Sequence, residues 1–320
     1  MELPGIDELR RATELVRAVM PPTPTYSWPL LNQRAGAEVW LKHENHSPVG
    51  AFKLRTATVY LDWLRRTHPA VTSVVAASSG NYGRGVASAS KRLGLNATIV
   101  VPVGTKREKI RAIEAQGADV VEHGQDFEAA NEYATGLAAG TGGWKAPAFD
   151  PLLALGAGTY ALEMFESAPE LDTVYVPVGM GSSICGMVAA REALGLTTGI
   201  VGVGAKAAPA NALSFAAGEV IVHEVRPTLA DGVAGRIPAE EALTVMLKHV
   251  ERFVEVDEDE IAAAMRAIYE DTHNVAEGAG AVTTAAILQE RSRIAGKRVG
   301  AVITGGNVDR EIFASVLGAA

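Results

Sequence analysis

Short apolar runs alternate with amphipathic stretches along most of this chain. From about residue 70 onward, the clearest apolar runs are TSVVAAS (72–78), NATIVVPV (96–103), ADVVEH (118–123), DTVYVPVG (172–179), GIVGVGA (199–205) and RVGAVITGGN (298–307). Each run precedes a stretch with helical periodicity, as YGRGVASASKRLG does after the first run. Before residue 45, AEVWLKHE (37–44) predicts a further strand. Strands that alternate with helices predict a parallel sheet. Because the strands are apolar throughout, they also predict helices on both faces of the sheet, and therefore an α/β fold.

A segment rich in glycine and proline, TGGWKAPAFDPLLALGAG at 141–158, interrupts this alternation. We interpret it as a domain boundary near residue 149. Ligands are expected at the carboxyl ends of the strands, because these ends line the crevice of an open α/β sheet.

Composition and charge restrict the class of partner. The chain has 320 residues, of which 48% are hydrophobic and 21% charged, and this is enough for a large core. A net charge of −8 argues against a nucleic-acid or anionic-membrane surface, so a small molecule is the expected partner. The single cysteine, Cys185, allows no intrachain disulfide, and the N-terminus lacks a signal-peptide pattern, so we expect a cytoplasmic protein. No apolar stretch is long enough to predict a membrane span.

Two glycine-rich stretches follow predicted strands and open predicted helices. SSGNYGRGVA would place backbone N–H groups and the side chains of Ser78, Ser79 and Asn81 at a helix N-terminus, where an anion is stabilised. An ordinary turn with serine as the helix N-cap is the alternative for this stretch. In VPVGMGSSICG, the glycines let the backbone approach a ligand closely and two serines add hydroxyl groups. The second stretch therefore indicates a phosphate cradle.

Nucleotides fit these glycine-rich stretches poorly. The spacing in the second stretch is G-x-G followed by Gly186, not G-x-G-x-x-G, and the next strand end supplies no Asp or Glu to hold a ribose. The chain also lacks the G-x-x-x-x-G-K-[ST] loop of nucleoside triphosphate sites. A dinucleotide or triphosphate ligand is therefore disfavoured.

Three further residues stand out in turns. Thr304 ends a predicted strand in VITGGNVD, and Glu277 lies among small residues in THNVAEGAGA. Lys53 lies beside Phe52 in the small, apolar turn HSPVGAFKLRTA, where a solvated surface lysine is the alternative interpretation. A lysine in an apolar turn, together with a phosphate cradle and an anion-binding helix start, suits pyridoxal phosphate and an amino-acid substrate.

Four motifs in order resemble those of one enzyme family. SPVGAFKLRTA resembles the lysine motif of the fold type II, or tryptophan-synthase-like, pyridoxal-phosphate enzymes, and SSGNYGRG, VGMGSS and TGGN resemble the next three motifs of that family. The most similar branch contains the serine/threonine dehydratases and serine racemase. The resemblance implies a two-domain α/β fold with parallel sheets flanked by helices. The smaller, mobile α/β domain would be 71–148, and the larger domain would be built from 1–70 and 149–320. The resemblance also implies that the larger domain binds pyridoxal 5'-phosphate and that the protein is a homo-oligomer, most simply a dimer.

The resemblance assigns roles to individual residues. Lys53 would form the Schiff base with the cofactor aldehyde and then remove the substrate α-proton, since desolvation beside Phe52 favours a neutral amine. Asn81 would bond the ring hydroxyl, Thr304 would meet the pyridine nitrogen, and Glu277 would lie near the ring. The residues expected to hold the phosphate are Gly179, Met180, Gly181, Ser182 and Ser183. The residues expected to bind the substrate are Ser78, Ser79, Gly80, Asn81 and Tyr82.

The implied reaction is that of an ammonia-lyase, or dehydratase. It would convert a 3-hydroxy amino acid to a 2-oxo acid and ammonia by α-proton removal and β-elimination. A racemase of the same fold is an alternative, and Ser79 would then be its second acid/base. A hydroxyectoine-breakdown dehydratase-like enzyme is another alternative within the branch. Outside it, a non-catalytic small-molecule-binding α/β protein would use the glycine loops only as anion sites.

The sequence departs from the family pattern near the predicted substrate site. Val49 and Ala51 replace hydroxyl residues before the lysine, Tyr82 replaces a common histidine and Arg84 a common glutamine. A more apolar rim is expected to accept a bulky β-substituent, as in 3-phenylserine, beside threonine and serine.

We expect no metal site. AKAAPA at 205–210 lacks the acidic residue of cation-dependent relatives. His43 and His46 have only Glu44 beside them as a further possible ligand, and such a loop pair is more often structural.

Overall fold

The computed structural model describes residues 1–318. The helices are α1 (Ile6–Arg17), α2 (Pro29–Ala35), α3 (Lys53–Thr67), α4 (Asn81–Arg92), α5 (Arg107–Glu114), α6 (Phe127–Thr141), α7 (Pro151–Ser167), α8 (Ser182–Ala193), α9 (Ala210–Ala217), α10 (Glu240–His249), α11 (Glu258–Thr272), α12 (Gly278–Gln289) and α13 (Arg310–Gly318). The strands are β1 (Thr25–Ser27), β2 (Glu38–His43), β3 (Ser73–Ala77), β4 (Asn96–Val101), β5 (Asp119–Glu122), β6 (Trp144–Lys145), β7 (Thr173–Pro177), β8 (Gly199–Ala205), β9 (Arg252–Val256) and β10 (Arg298–Ile303).

The strands form two separate sheets. The larger sheet has the order β1-β2-β10-β7-β8-β9, and all its pairs are parallel except that of β1 with β2. The smaller sheet has the order β5-β4-β3-β6 and is parallel throughout. The predicted α/β fold with parallel sheets is confirmed.

The larger sheet lies between two apolar cores. Every residue of β7 and β8 is buried, as expected for strands covered on both faces. Val174 and Val176 pack with α7 and α8 on one face, whereas Tyr175 between them packs with α11 and α12 on the other. This alternation follows from the two-residue period of a strand.

Helix α3 contributes to the cores of both parts of the chain. Its residues Ala57, Tyr60 and Leu64 pack with the smaller sheet, while Leu54 and Val59 pack with α1. All strands of the smaller sheet lie between residues 73 and 145. The contacts of α3 do not assign it to one sheet alone, so the predicted limits of the two domains stay predictions.

The sequence pattern did not predict three strands. β1 and β6 have only three and two residues, too few for a recognisable period. β9, RFVEV, pairs on one side only and is partly exposed, so it includes an arginine and a glutamate instead of a uniform apolar run. Short strands and edge strands lack the continuous apolar pattern that marks the central strands.

His43 and His46 are held by neighbouring side chains. His43 is buried, and its Nε2 accepts a hydrogen bond of 3.1 Å from the Trp28 indole. His46 Nε2 lies 2.7 Å from Asn274 Oδ1.

Within residues 1–318, no group of three or more His, Cys, Asp or Glu side chains is arranged to hold a metal ion. None of the helices in this range is long and apolar enough to cross a membrane.

A buried ionic network fixes the first turn of α3. The Arg55 guanidinium is fully buried and donates to Glu44 at 2.8 Å and to Glu163 of α7 at 2.7 Å. The Lys42 ammonium of β2 donates to Glu163 at 2.8 Å and to the carbonyl of Thr23 at 2.7 Å. Burial alone would raise the pKa of Glu163, but the bonds from Arg55 and Lys42 hold it below its usual value. The network connects β2, α3 and α7, and its central residue, Arg55, follows Lys53 by two positions.

Replacing Arg55 is expected to destabilise the protein strongly. In Arg55→Ala, two buried carboxylates lose their main cation, which costs about 3–5 kcal/mol of unfolding free energy. Urea unfolding measures this loss. Arg66→Ala is the control, because Arg66 makes an exposed ion pair with Asp62, and its loss should cost less than about 1 kcal/mol. Equal losses for the two variants would contradict the assignment of Arg55 as the central cation.

Candidate active site

The turn before Lys53 is fastened to the loop after β10. The Phe52 N–H donates to the Thr304 carbonyl at 3.0 Å, and the Gly306 N–H donates to the Gly50 carbonyl at 3.0 Å. Lys53 then begins α3 directly after Phe52. The predicted lysine and the predicted Thr304 are therefore brought to the same edge of the larger sheet.

Ser47 holds the other side of this turn. Its Oγ accepts from the Ala51 N–H at 2.9 Å and donates to the Ala51 carbonyl at 2.6 Å. Gly50 has φ of +73°, and a Cβ there would lie 2.5 Å from the Asn307 side chain. A glycine is required at this position by both the backbone angle and the lack of space.

Lys53 has an apolar environment. Its Nζ lies 4.5 Å from the centre of the Phe52 ring and 5.9 Å from that of Tyr82. Burial lowers the pKa of Lys53 to about 8, although the charge of Glu277 acts in the opposite direction. A larger fraction of the amine is then neutral near physiological pH than for an ordinary lysine, and only the neutral amine is a nucleophile.

Asn81 connects three loops of the site. Its Nδ2 donates to Glu277 Oε1 at 2.6 Å, and its Oδ1 accepts from Asn307 Nδ2 at 2.7 Å. Asn307 also donates to the carbonyl of Val49 at 2.9 Å. Burial, with the charge of Asp231, raises the pKa of Glu277 to about 7, and the bond from Asn81 opposes the rise. The structure therefore brings Asn81 and Glu277 together near Lys53.

The loop that contains Ser78, Ser79 and Gly80 opens helix α4. Gly80 N–H donates to Ser78 Oγ at 3.2 Å. The N–H groups of residues 81–83 and the Ser79 hydroxyl have no acceptor or donor partner in the described part of the chain. The Tyr82 hydroxyl donates to the Pro147 carbonyl at 2.7 Å, so only the Tyr82 ring approaches Lys53. A helix start with several uncommitted N–H groups is a site for a carboxylate.

The second glycine-rich stretch forms the loop before α8, where the phosphate cradle is expected. Gly181 is its N-cap and has φ of +100°, and a Cβ on Gly179 would lie 2.7 Å from the carbonyl oxygen of Gly232. No acceptor within residues 1–318 is bonded to the N–H groups of residues 179–183. Ser182 and Ser183 are buried, and Ser183 Oγ pairs with the Tyr160 hydroxyl. This set of donors fits a phosphate group.

Two other predicted residues are less tightly held. Thr304 is buried, and its hydroxyl makes only a long bond of 3.3 Å to the Ala279 carbonyl. That hydroxyl can therefore turn to a ring nitrogen. Met180 is partly buried, and its sulfur lies 3.9 Å from the position of a Cβ on Gly235.

Sequence reasoning did not assign two residues that organise the site. Asn307 was visible as a polar residue after a glycine pair, but its bonds to Asn81 and Val49 depend on chain segments far apart in sequence. Tyr160 packs edge-on against Phe52 at 5.8 Å and meets Ser183, so it connects the lysine turn to the cradle. Tyr160 lies in an apolar helix, where its sequence neighbours give no signal that separates it from a core residue.

Comparison with known proteins agrees with this geometry. A protein family described as pyridoxal-phosphate dependent enzyme matches residues 16–305. An L-threonine ammonia-lyase from Thermotoga maritima is 35% identical over 305 residues, which cover 95% of this chain and 76% of that protein.

Two solved structures have closely similar folds. The processed form of threonine deaminase isoform 2 from Solanum lycopersicum is 31% identical with a TM-score of 0.90, and the match covers 100% of this chain and 98% of that one. Maize serine racemase is 28% identical with a TM-score of 0.91, and the match covers 98% and 97%. The expected pyridoxal 5'-phosphate cofactor is confirmed by the family match. The chain belongs to the pyridoxal-phosphate dependent enzymes and has the two-domain fold type II architecture.

Proposed function

We propose that this enzyme is an ammonia-lyase that converts a 3-hydroxy amino acid to a 2-oxo acid and ammonia. The observation that carries this proposal is the desolvated amine of Lys53, which lies beside an open helix start and a phosphate cradle. The 35% identity to an L-threonine ammonia-lyase supports the reaction class.

We assign the contacts to the cofactor from the hydrogen-bonding groups that the site provides. Residues 179–183 would hold the phosphate through backbone N–H groups, Asn81 would bond the ring hydroxyl and Thr304 the ring nitrogen. When bound, pyridoxal phosphate supplies an electron sink for the bond that breaks at the α-carbon. Thr304 has a hydroxyl and not a carboxylate, so it does not stabilise a protonated ring nitrogen. A ring nitrogen that is not held protonated favours prompt loss of a β-leaving group.

Lys53 would act as the base of the reaction. Its neutral amine would accept the α-proton, because Phe52 and Tyr82 exclude water and oppose a charged ammonium. The open N–H groups at the start of α4 would orient the substrate carboxylate. The α-hydrogen and the β-hydroxyl leave together as one water, and hydrolysis of the resulting enamine consumes one water and gives the 2-oxo acid and ammonia.

We propose substrates with a β-substituent larger than that of serine. Val49 and Ala51 add no hydroxyl to the lysine turn, and the Tyr82 ring adds apolar surface. Threonine and 3-phenylserine are the candidates that these residues support. A hydroxyectoine-breakdown dehydratase-like role stays a prediction.

Racemisation is the second candidate activity. The Ser79 hydroxyl has no partner in the described residues, and it lies on the loop before α4 where a second acid/base could meet the substrate. The similarity to maize serine racemase supports this candidate.

We also propose the organisation of the working enzyme. The smaller domain is assigned to residues 71–148, supported by the separate four-stranded sheet. The ion pairs Lys106–Asp309 (2.9 Å) and Lys109–Asp231 (3.1 Å) would hold it against the larger domain. We propose a homodimer in the cytoplasm as the working state. The single thiol, that of Cys185, is buried, and burial raises its pKa to about 12.

The proposed reaction is tested by 2-oxo acid release from L-threonine and from L-threo-3-phenylserine. We expect release from at least one of them and a loss of roughly 10²–10⁴-fold in Lys53→Ala, because the base is removed. Chiral analysis of the recovered substrate distinguishes racemisation from elimination. Ser79→Ala should abolish racemisation and leave 2-oxo acid release in place. Full activity of Lys53→Ala would contradict the proposal.

Cofactor binding is expected to depend on the protonation of Lys53. The amine reacts with an aldehyde only when neutral, so the rate of pyridoxal phosphate binding should rise with pH and level off above a midpoint near its pKa of about 8. Stopped-flow absorbance of the apoprotein mixed with pyridoxal phosphate measures this rate. An ordinary lysine would give a midpoint near 10.5, and that result would contradict the desolvated environment.

Gly181→Ala is expected to weaken pyridoxal phosphate binding by about tenfold or more. An alanine there would be strained at φ of +100° and would press on Ala242, so the cradle would shift. Gly195→Ala is the matched control, because Gly195 follows the other end of α8 with φ of +65° and nothing lies within 4 Å of its Cβ position. Fluorescence titration gives both affinities, and equal losses would show that strain alone, and not the cradle, is responsible.

A further inference from the structure

Tyr160 is the side chain that connects the lysine turn to the start of α8. It is fully buried on α7, and its ring packs edge-on against the Phe52 ring with the ring centres 5.8 Å apart. Its hydroxyl oxygen lies 2.5 Å from Ser183 Oγ, and either oxygen can be the donor. The other acceptor for the Tyr160 hydrogen is the Ser183 carbonyl, at a long 3.4 Å. The two buried hydroxyl groups therefore depend on each other.

Close packing of α7 against its neighbours fixes the position of this hydroxyl pair. A Cβ on Gly186 of α8 would lie 2.5 Å from the backbone nitrogen of Gly158 on α7, so the two backbones leave no space for a side chain between them. Glu163, three residues after Tyr160 on α7, accepts from the buried Arg55 guanidinium at 2.7 Å. Helix α7 is thus held against both α8 and α3, and the Tyr160 hydroxyl has a defined position relative to the start of α8.

The two hydroxyl hydrogens have two possible arrangements, because each oxygen can donate once and accept at the same time. When Ser183 donates to Tyr160, the Tyr160 hydrogen has only the long bond to the Ser183 carbonyl. When Tyr160 donates to Ser183, the Ser183 hydrogen has no acceptor among residues 1–318. A phenolic O–H is a stronger donor than an aliphatic one. The second arrangement is therefore favoured once an acceptor from outside the chain reaches Ser183.

Ser183 lies where a ligand can supply this acceptor. It is the second residue of α8, and its N–H is one of the uncommitted backbone donors of residues 179–183. The Cα–Cβ bonds of a helix tilt toward its N-terminus, so the Ser183 side chain is directed to the same open end. An anion bound there accepts from the hydroxyl as well as from the backbone, and a bond to a charged acceptor is the stronger kind.

We propose that Tyr160 is a positioning residue for the cofactor phosphate. Its hydroxyl donates to Ser183 Oγ and so directs the Ser183 hydrogen to a phosphate oxygen, while its ring supports Phe52 beside Lys53. Tyr160 acts on the phosphate through Ser183 and not by direct contact. This inference rests on the proposed assignment of the phosphate to residues 179–183 and is independent of the reaction at the α-carbon.

Affinities for pyridoxal phosphate and for pyridoxal, which lacks the phosphate, test the proposal. Fluorescence titration of the apoprotein gives both. Tyr160→Phe keeps the ring and should weaken pyridoxal phosphate binding about 5- to 10-fold, with pyridoxal binding changed less than about twofold. Ser183→Ala should weaken pyridoxal phosphate binding about 10- to 100-fold with the same selectivity, because it removes a bond to a charged group. The double variant should lose no more than Ser183→Ala, since Tyr160 acts through Ser183.

Tyr175→Phe is the matched control. Tyr175 is also a buried tyrosine, but its hydroxyl donates to Glu290 at 2.6 Å and its ring packs on the opposite face of the larger sheet. Neither affinity should change in this variant. Phosphorus NMR of bound pyridoxal phosphate should show a shifted resonance in Tyr160→Phe and an unshifted one in Tyr175→Phe. The midpoint near 8 for the rate of cofactor binding should stay the same in both, because the contacts of Phe52 with Lys53 are kept.

The outcomes separate this inference from the proposals on which it rests. Equal losses of both affinities in Tyr160→Phe, or a further loss in the double variant, would overturn the role of Tyr160. Unmodified protein that binds pyridoxal as tightly as pyridoxal phosphate would refute the phosphate assignment to residues 179–183. Losses selective for the phosphate, with no turnover of any 3-hydroxy amino acid, would support Tyr160 and refute the ammonia-lyase.

Discussion

The buried ionic network centred on Arg55 is the constraint on which the position of Lys53 depends. Arg55 lies in the first turn of α3 and is bonded to Glu44 after β2 and to Glu163 on α7. These bonds fix the helix in rotation as well as in position, because charged groups buried together have few satisfactory arrangements. Lys53 Nζ can then be placed near the Phe52 and Tyr82 rings although no side-chain hydrogen bond within residues 1–318 holds it there.

The site itself is formed where loops from both sheets meet. The lysine turn is fastened to the β10 loop by backbone hydrogen bonds, and Asn307 extends that contact to Asn81 on the smaller sheet's side. Because the carboxyl ends of parallel strands lie at one edge, residues separated by more than 200 positions become neighbours. The lowered pKa of Lys53 and the raised pKa of Glu277 are both consequences of this enclosure.

The apolar runs predicted the parallel sheets, because a buried strand has a local pattern. The grouping of Lys53, Asn81 and Thr304 was implied by the resemblance to the fold type II enzymes, since no local pattern brings these residues together. The phosphate cradle, inferred from a glycine-rich turn before a helix, stays a prediction. The apolar pattern did not predict the strand β9, whose edge position removes the apolar period. The role of Asn307 was also not predictable, since its two partners lie 226 and 258 residues away. Local sequence patterns predict individual helices and strands, whereas contacts between loops that are distant in sequence can be identified only from the three-dimensional fold.

The candidate site brings together several hydrogen-bond donors that have no partner in the described residues. Elsewhere, buried charges are paired, as Arg55 and Lys42 are with Glu163. In the site, the Lys53 amine, the N–H groups of residues 179–183 and the N–H groups of residues 81–83 have no partner in the described residues. Leaving donors unsatisfied lowers stability, so a ligand that accepts from these donors is expected to stabilise the folded chain. These groups differ in chemistry: a neutral amine reacts with an aldehyde, whereas backbone N–H groups at helix starts bind anions such as a phosphate or a carboxylate.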